Sequence, residues 1–123
     1  MTDTVPFVTV VATGDGGSAF VDGELALEER LISEGMPAML VGVLPSAAGA
    51  AYVRSEPFAS EPHPAPRRQW VILLRGAFEI EVSDGTSRTF RPGDLLLVED
   101  LTGSGHTTRS VGEPPFEGLF IPA

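Results

Sequence analysis

The chain has 123 residues, 42% of them apolar, which is enough for one domain with a real core. It contains no cysteine and no lysine, so disulfides, zinc–thiolate sites, iron–sulfur clusters, thiol nucleophiles, Schiff-base chemistry and P-loop phosphate binding are excluded. Seventeen acids face eight arginines for a net charge of −9, a surface that repels phosphate backbones and makes nucleic acid an unexpected partner.

Met1, Thr2, Asp3 and Thr4 lack the basic start of a signal peptide. No apolar run approaches the length of a membrane span, so a cytoplasmic protein with no membrane association is expected. Val5 to Val10 is rich in β-branched residues and reads as a first strand, placed as an edge. Gly14-Asp15-Gly16-Gly17 is a turn and not a dinucleotide loop, because the glycine spacing of such loops is absent. Phe20 to Leu27 reads as a strand, although Leu25, Leu27 and Leu31 also fit one turn of helix. Met39 to Leu44 reads as a buried strand closed by Pro45. Tyr52 and Val53 suggest another strand.

Pro57, Pro62, Pro64 and Pro66 then forbid regular pairing. His63 and Ala65 each precede a proline and are biased to extended geometry, which suits an edge approach to a sheet. From Gln69 the pattern is regular. Trp70 to Leu74 is apolar on both faces, as in the middle of a sandwich or barrel. Phe78, Ile80 and Val82 alternate with Glu79 and Glu81. Asp84-Gly85 marks a hairpin, Thr86 to Phe90 returns, and Pro92-Gly93 turns again. Asp94 to Val98 is a further apolar strand. A loop, Leu101 to Gly105, leads to His106, and Phe116 to Ile121 closes the chain. Many short strands and little helix predict a sandwich or jelly roll.

Two stretches carry a family resemblance. The first runs from His63 through Arg67, Arg68 and Gln69 to Gly76. The second runs from Pro92-Gly93-Asp94 through an apolar strand to Gly103, Gly105 and His106. Together they resemble the two motifs of the cupins, and the phrase as a whole looks like a group of small stand-alone bacterial cupins. In that family two histidines, a glutamate and a later histidine hold a divalent metal. Here His63 and His106 fall in histidine slots, Ala65 replaces the second histidine, Gln69 replaces the glutamate, and Leu101 stands where a proline is usual. The resemblance implies an all-β, cupin-type double-stranded β-helix or jelly-roll barrel. It is read as one domain over 1–123, with N-terminal strands and loop over 1–62 and the core motifs over 63–111. It also implies a homodimer.

The residues themselves add a site. The chain's two histidines both stand at ends of expected strands and both fit the slots of the resembled motif pair, which together predict a shared pocket. Strand alternation places Val71 and Leu73 inward with Gln69, turns Trp70, Ile72 and Leu74 outward, and sets Thr108 on the face of His106. Arg67 shares parity with Gln69 and is the better arginine for the pocket, with Arg68 facing away. An arginine there favours a carboxylate or enolate ligand, against the alternative of a solvated salt bridge. Imidazole suits zinc, iron, nickel or manganese, whereas Gln69 is a neutral donor. Glu61, Glu99 or Asp100 would supply a carboxylate. A metal held by His63, Gln69 and His106 and a metal-free pocket both stay open. The expected function is an isomerase, lyase or cyclase acting on a small carbonyl or carboxylate compound, with His63, His106, Gln69 and Arg67 as catalytic residues. The alternative is a non-catalytic small-molecule binding or sensing protein.

Overall fold

The structure, a computed structural model, describes residues 3–31, 34–35, 37–46, 49–112 and 115–123. Among these residues it is all-β, with no helix. The strands are β1 (Thr4–Ala12), β2 (Ser18–Ala26), β3 (Glu28–Arg30), β4 (Met39–Val41), β5 (Ala51–Ser55), β6 (Gln69–Arg75), β7 (Phe78–Glu81), β8 (Ser87–Phe90), β9 (Leu96–Glu99), β10 (Thr107–Ser110) and β11 (Phe116–Pro122). A six-stranded sheet runs in the order β2-β1-β9-β6-β11-β5, and a three-stranded sheet in the order β10-β7-β8. β3 and β4 form a separate two-stranded ladder. The sheets are not closed into a barrel.

Local chemistry sets the hairpins. β1 pairs antiparallel with β2 along its whole length. The connecting turn is tied by Asp15, whose carboxylate accepts from the Thr13 hydroxyl and the Gly17 amide. Those two bonds hold the Asp15 carboxyl below its ordinary range, the hydroxyl first. At Asp84-Gly85 the Gly85 amide donates to Val82 and the Val82 amide to Thr86, at 3.0 and 2.9 Å. Gly85 sits at φ +90°, a conformation glycine adopts without steric cost.

The core lies between the two larger sheets. Val10, Val71, Leu73, Leu96 and Val98 meet Phe78, Ile80, Val82 and Phe90. The alternation read along β6 and β7 holds, because Val71, Leu73, Phe78, Ile80 and Val82 are buried while Leu74 and Glu81 are exposed. Trp70 turns outward yet is only 2% exposed. Its indole N–H donates to the Pro45 carbonyl at 2.9 Å, and Phe7 packs edge-on against its ring at 5.3 Å. The chain itself covers this part of the outer face.

Two expectations are corrected. Val5 to Val10 is not an edge, because β9 pairs with β1 in parallel on the side opposite β2. The edges of that sheet are β2 and β5. Met39 to Leu44 is not a buried strand. Only Met39–Val41 is extended, Met39 and Leu40 are exposed, and among the described residues their one strand partner is the short, solvated Glu28–Arg30. The helical alternative for Leu25 to Leu31 also gives way to strand at β2 and β3.

Edge strand β5 is fastened to β11 by more than its ladder. Glu117, buried on β11, accepts from the Tyr52 hydroxyl and from the Arg54 guanidinium, the latter at 2.9 and 3.1 Å. Arg75 approaches its other oxygen at 3.4 Å. The Tyr52 hydrogen bond, and then that of Arg54, holds the Glu117 carboxyl below the usual carboxylate range. A depressed carboxyl stabilises the fold above its unfolded-state pKa, and this contribution is lost as pH falls through the folded-state value. Glu117→Gln is therefore expected to lower the midpoint of urea unfolding at neutral pH. The gap to wild type should close as pH drops below about 4. Paired denaturation curves across that range check this.

Candidate functional site

The proline-rich segment before β6 runs beside β10, as its composition predicts, through isolated bridges rather than a continuous ladder. Ser60 donates its amide to Thr108 at 2.8 Å, and Ser110 donates to Phe58 at 2.8 Å. His63 and His106 form the last bridge. Each amide donates to the other's carbonyl at 3.0 Å, and the imidazole centroids lie 5.0 Å apart. The structure thus brings together the two histidines that the sequence assigns to one pocket.

Their environments differ. His63 is exposed and His106 is 5% exposed. The Nδ1 of His63 lies 3.1 Å from the Pro64 carbonyl. The Nδ1 of His106 lies 2.5 Å from Oδ2 of Asp100, a residue with no exposed surface. A carbonyl and a carboxylate oxygen accept, so Nδ1 carries the proton in each ring and Nε2 is the basic nitrogen of the neutral imidazole. The other Asp100 oxygen, Oδ1, has no hydrogen-bond partner among the described residues. Burying such an atom costs about 1–3 kcal/mol. The fold therefore bears a cost at Asp100 while its carboxylate orients His106.

Close backbone packing fixes this corner. Asp100 accepts from the Ala65 amide through its main-chain carbonyl at 3.0 Å. The Ser18 hydroxyl donates to the Gly105 carbonyl at 2.6 Å. Gly105 has φ +70°, and a Cβ there would lie 2.0 Å from the His63 carbonyl oxygen. Of the two glycines in the loop before His106, Gly105 is thus required by the histidine bridge, whereas a Cβ at Gly103 would meet the Gly16 carbonyl oxygen at 2.2 Å.

Both histidines line a cavity of about 690 Å3 between the two sheets. Its walls are apolar, with a cluster of Phe58, Phe78 and Phe116 together with Val71, Leu96 and Val98. Gln69, 6% exposed, and Thr108 also face it, in agreement with the strand parity. Arg67 lines the cavity while Arg68 turns away to pair with Glu99 at 2.8 Å. Among the described residues no group of three or more His, Cys, Asp or Glu side chains is gathered to hold a metal ion. Glu99 is committed to Arg68, and Asp100 sits behind His106 and not on the cavity wall. The sequence raised Asp100 only as a metal carboxylate. Its contact with Nδ1 instead gives it a positioning part, and its place shortly before His106 on an inward strand parity was the available signal.

No protein-family model matches the chain, and no curated protein matches it either. Among the described residues no helix is long and apolar enough to cross a membrane.

Gly105→Ala is expected to break the His63–His106 bridge. It combines the backbone strain of a non-glycine residue at positive φ, about 1–3 kcal/mol, with a clash against main chain. Gly85→Ala, where nothing lies near the added methyl, should cost only the strain. Equal losses in the two variants, measured by thermal and urea unfolding, would remove the bridge from the account.

Proposed function

We propose that this protein is a small cupin-like protein whose cavity binds a small carbonyl or carboxylate compound and moves a proton on it, in an isomerase, lyase or cyclase reaction. The jelly-roll relationship belongs to the proposal. It is supported by the two facing sheets and by the meeting of His63 and His106 from the two motif-like stretches. The observation that carries the functional reading is the buried Asp100 carboxylate on Nδ1 of His106, in a ring that lines an apolar cavity. Such a carboxylate fixes the tautomer and stabilises the imidazolium formed when Nε2 accepts a proton. Gln69 supplies an amide donor for a developing enolate oxygen, and His63, at the open side, is placed to return a proton.

A divalent metal, zinc, iron, nickel or manganese, belongs to the same proposal as an optional component. The donor chemistry suits such an ion. His63, Gln69 and His106 would hold it, with Asp100 as the outer carboxylate that orients a ligating imidazole. When bound, it would polarise a carbonyl oxygen. The acid–base assignment to His106 and Asp100 does not depend on it.

The second reading is a binding or sensing protein without turnover. The exchange of the family's glutamate and one histidine for Gln69 and Ala65 favours it. A homodimer and a cytoplasmic location also belong to the proposal, and sedimentation mass tests the former. The two functional readings separate in one experiment. The protein is incubated in heavy water with a panel of keto acids and unsaturated carboxylates, and isotope incorporation and product are followed by NMR. We expect turnover of at least one compound, and a loss of about 100-fold or more in His106→Gln. Saturable binding with no exchange in any compound would support the binding reading, and turnover undiminished in His106→Gln would remove His106 from the chemistry.

A further inference from the structure

We infer that the cavity is built for an anionic ligand with an apolar body and a single carboxylate, and that Arg67 is its anchor. This deepens the functional reading above and rests on the same cavity. The carrying observation is how charge is distributed. The chain has seventeen acids, yet not one Asp or Glu lines the cavity among the described residues. Among the described residues the only permanently charged group on its wall is Arg67. The acidic surface would repel an anion, whereas this wall would not.

The state of Arg67 sets it apart as well. Arg30, Arg54, Arg68, Arg75, Arg88 and Arg109 each pair with a carboxylate. Among the described residues Arg67 and Arg91 do not, and Arg91 is not on the cavity wall. In a chain with twice as many acids as bases, an arginine left without an acid beside an apolar cavity is free to bind an acid from outside. Its backbone is fixed on both sides. The Ala65 amide donates to Asp100 and the Arg68 carbonyl accepts from Ala123, each at 3.0 Å, and Pro66 precedes it. The guanidinium thus projects from a held position, which lowers the ordering cost of binding.

The neighbours narrow the ligand. Gln69 is a buried amide facing the cavity that forms no side-chain hydrogen bond among the described residues. Its NH2 can donate to a second polar group on the ligand, such as a carbonyl, and its carbonyl oxygen can accept from a hydroxyl. The planar fork of one arginine matches one carboxylate. A phosphate monoester carries close to two charges, which one cation does not balance. The phenylalanine and valine walls suit an aryl or branched-alkyl body.

The test uses branched-alkyl and aryl carboxylates paired with their isosteric primary amides, with binding to the full chain measured by ligand-observed NMR. We expect the carboxylates to bind about 10- to 100-fold tighter than their amides. Arg67→Gln should remove that preference without shifting the unfolding midpoint, since the side chain is exposed and unpaired. Arg91→Gln should leave the preference intact. The inference is overturned by equal binding of acids and amides, by a preference that survives Arg67→Gln, or by no carboxylate binding at roughly 1 mM. Its failure is distinguishable from failure of the proton-transfer reading. Turnover of neutral carbonyl compounds without acid preference would defeat only the anchor, and acid preference without turnover would defeat only the chemistry.

Discussion

Two amide hydrogen bonds between His63 and His106 hold the site together. They join a proline-stiffened segment to the loop that enters β10, and so bring residues distant in sequence onto one cavity wall. Everything about the bridge depends on close approach. Gly105 must lack a side chain, because the His63 carbonyl occupies that space. Ala65 must be held to the Asp100 main chain, which carries the Asp100 side chain to the back of His106. Main-chain geometry and the orientation of one imidazole are therefore a single constraint.

The cavity follows from how the sheets meet. They pack through a shared core, but they are not closed into a barrel. Near β5 and β11 the space is lined by Val53, Phe116 and Phe120. β5 is an edge strand, and such a strand is a weak wall unless fastened. The outward cluster of Glu117, Tyr52 and Arg54 supplies that fastening. Charges on the outer face of the sheet thus support an apolar surface on its inner face.

Strand alternation made much of this legible in the sequence. The inward set Gln69, Val71 and Leu73, the outward Trp70, and the division between Arg67 and Arg68 all follow from a period of two. The prolines announced an extended edge segment, and it runs beside β10 by isolated bridges. Periodicity does not encode which strands become neighbours. Val5 to Val10 has the composition of an edge or an interior strand alike, and only the parallel contact with β9 decides. Met39 to Leu44 is apolar enough to be buried, but among the described residues it has only a short solvated partner, so its apolarity did not predict depth. Asp100 was visible as an acid near His106. That it would be fully buried, with one oxygen on Nδ1 and the other unpaired, depends on packing around both motifs.

Asp100 is proposed to set the tautomer of His106 and to leave Nε2 as the basic nitrogen toward the ligand space. Imidazole nitrogen resonances read this directly, in long-range proton–nitrogen correlation spectra at roughly pH 8, where a free imidazole is neutral. His106 is expected to carry its proton on Nδ1, with Nε2 at the shift of an unprotonated nitrogen, and Asp100→Ala to release it to a mixture of tautomers. A His106 ring protonated on Nε2, or one averaging between tautomers in the unaltered protein, would contradict it.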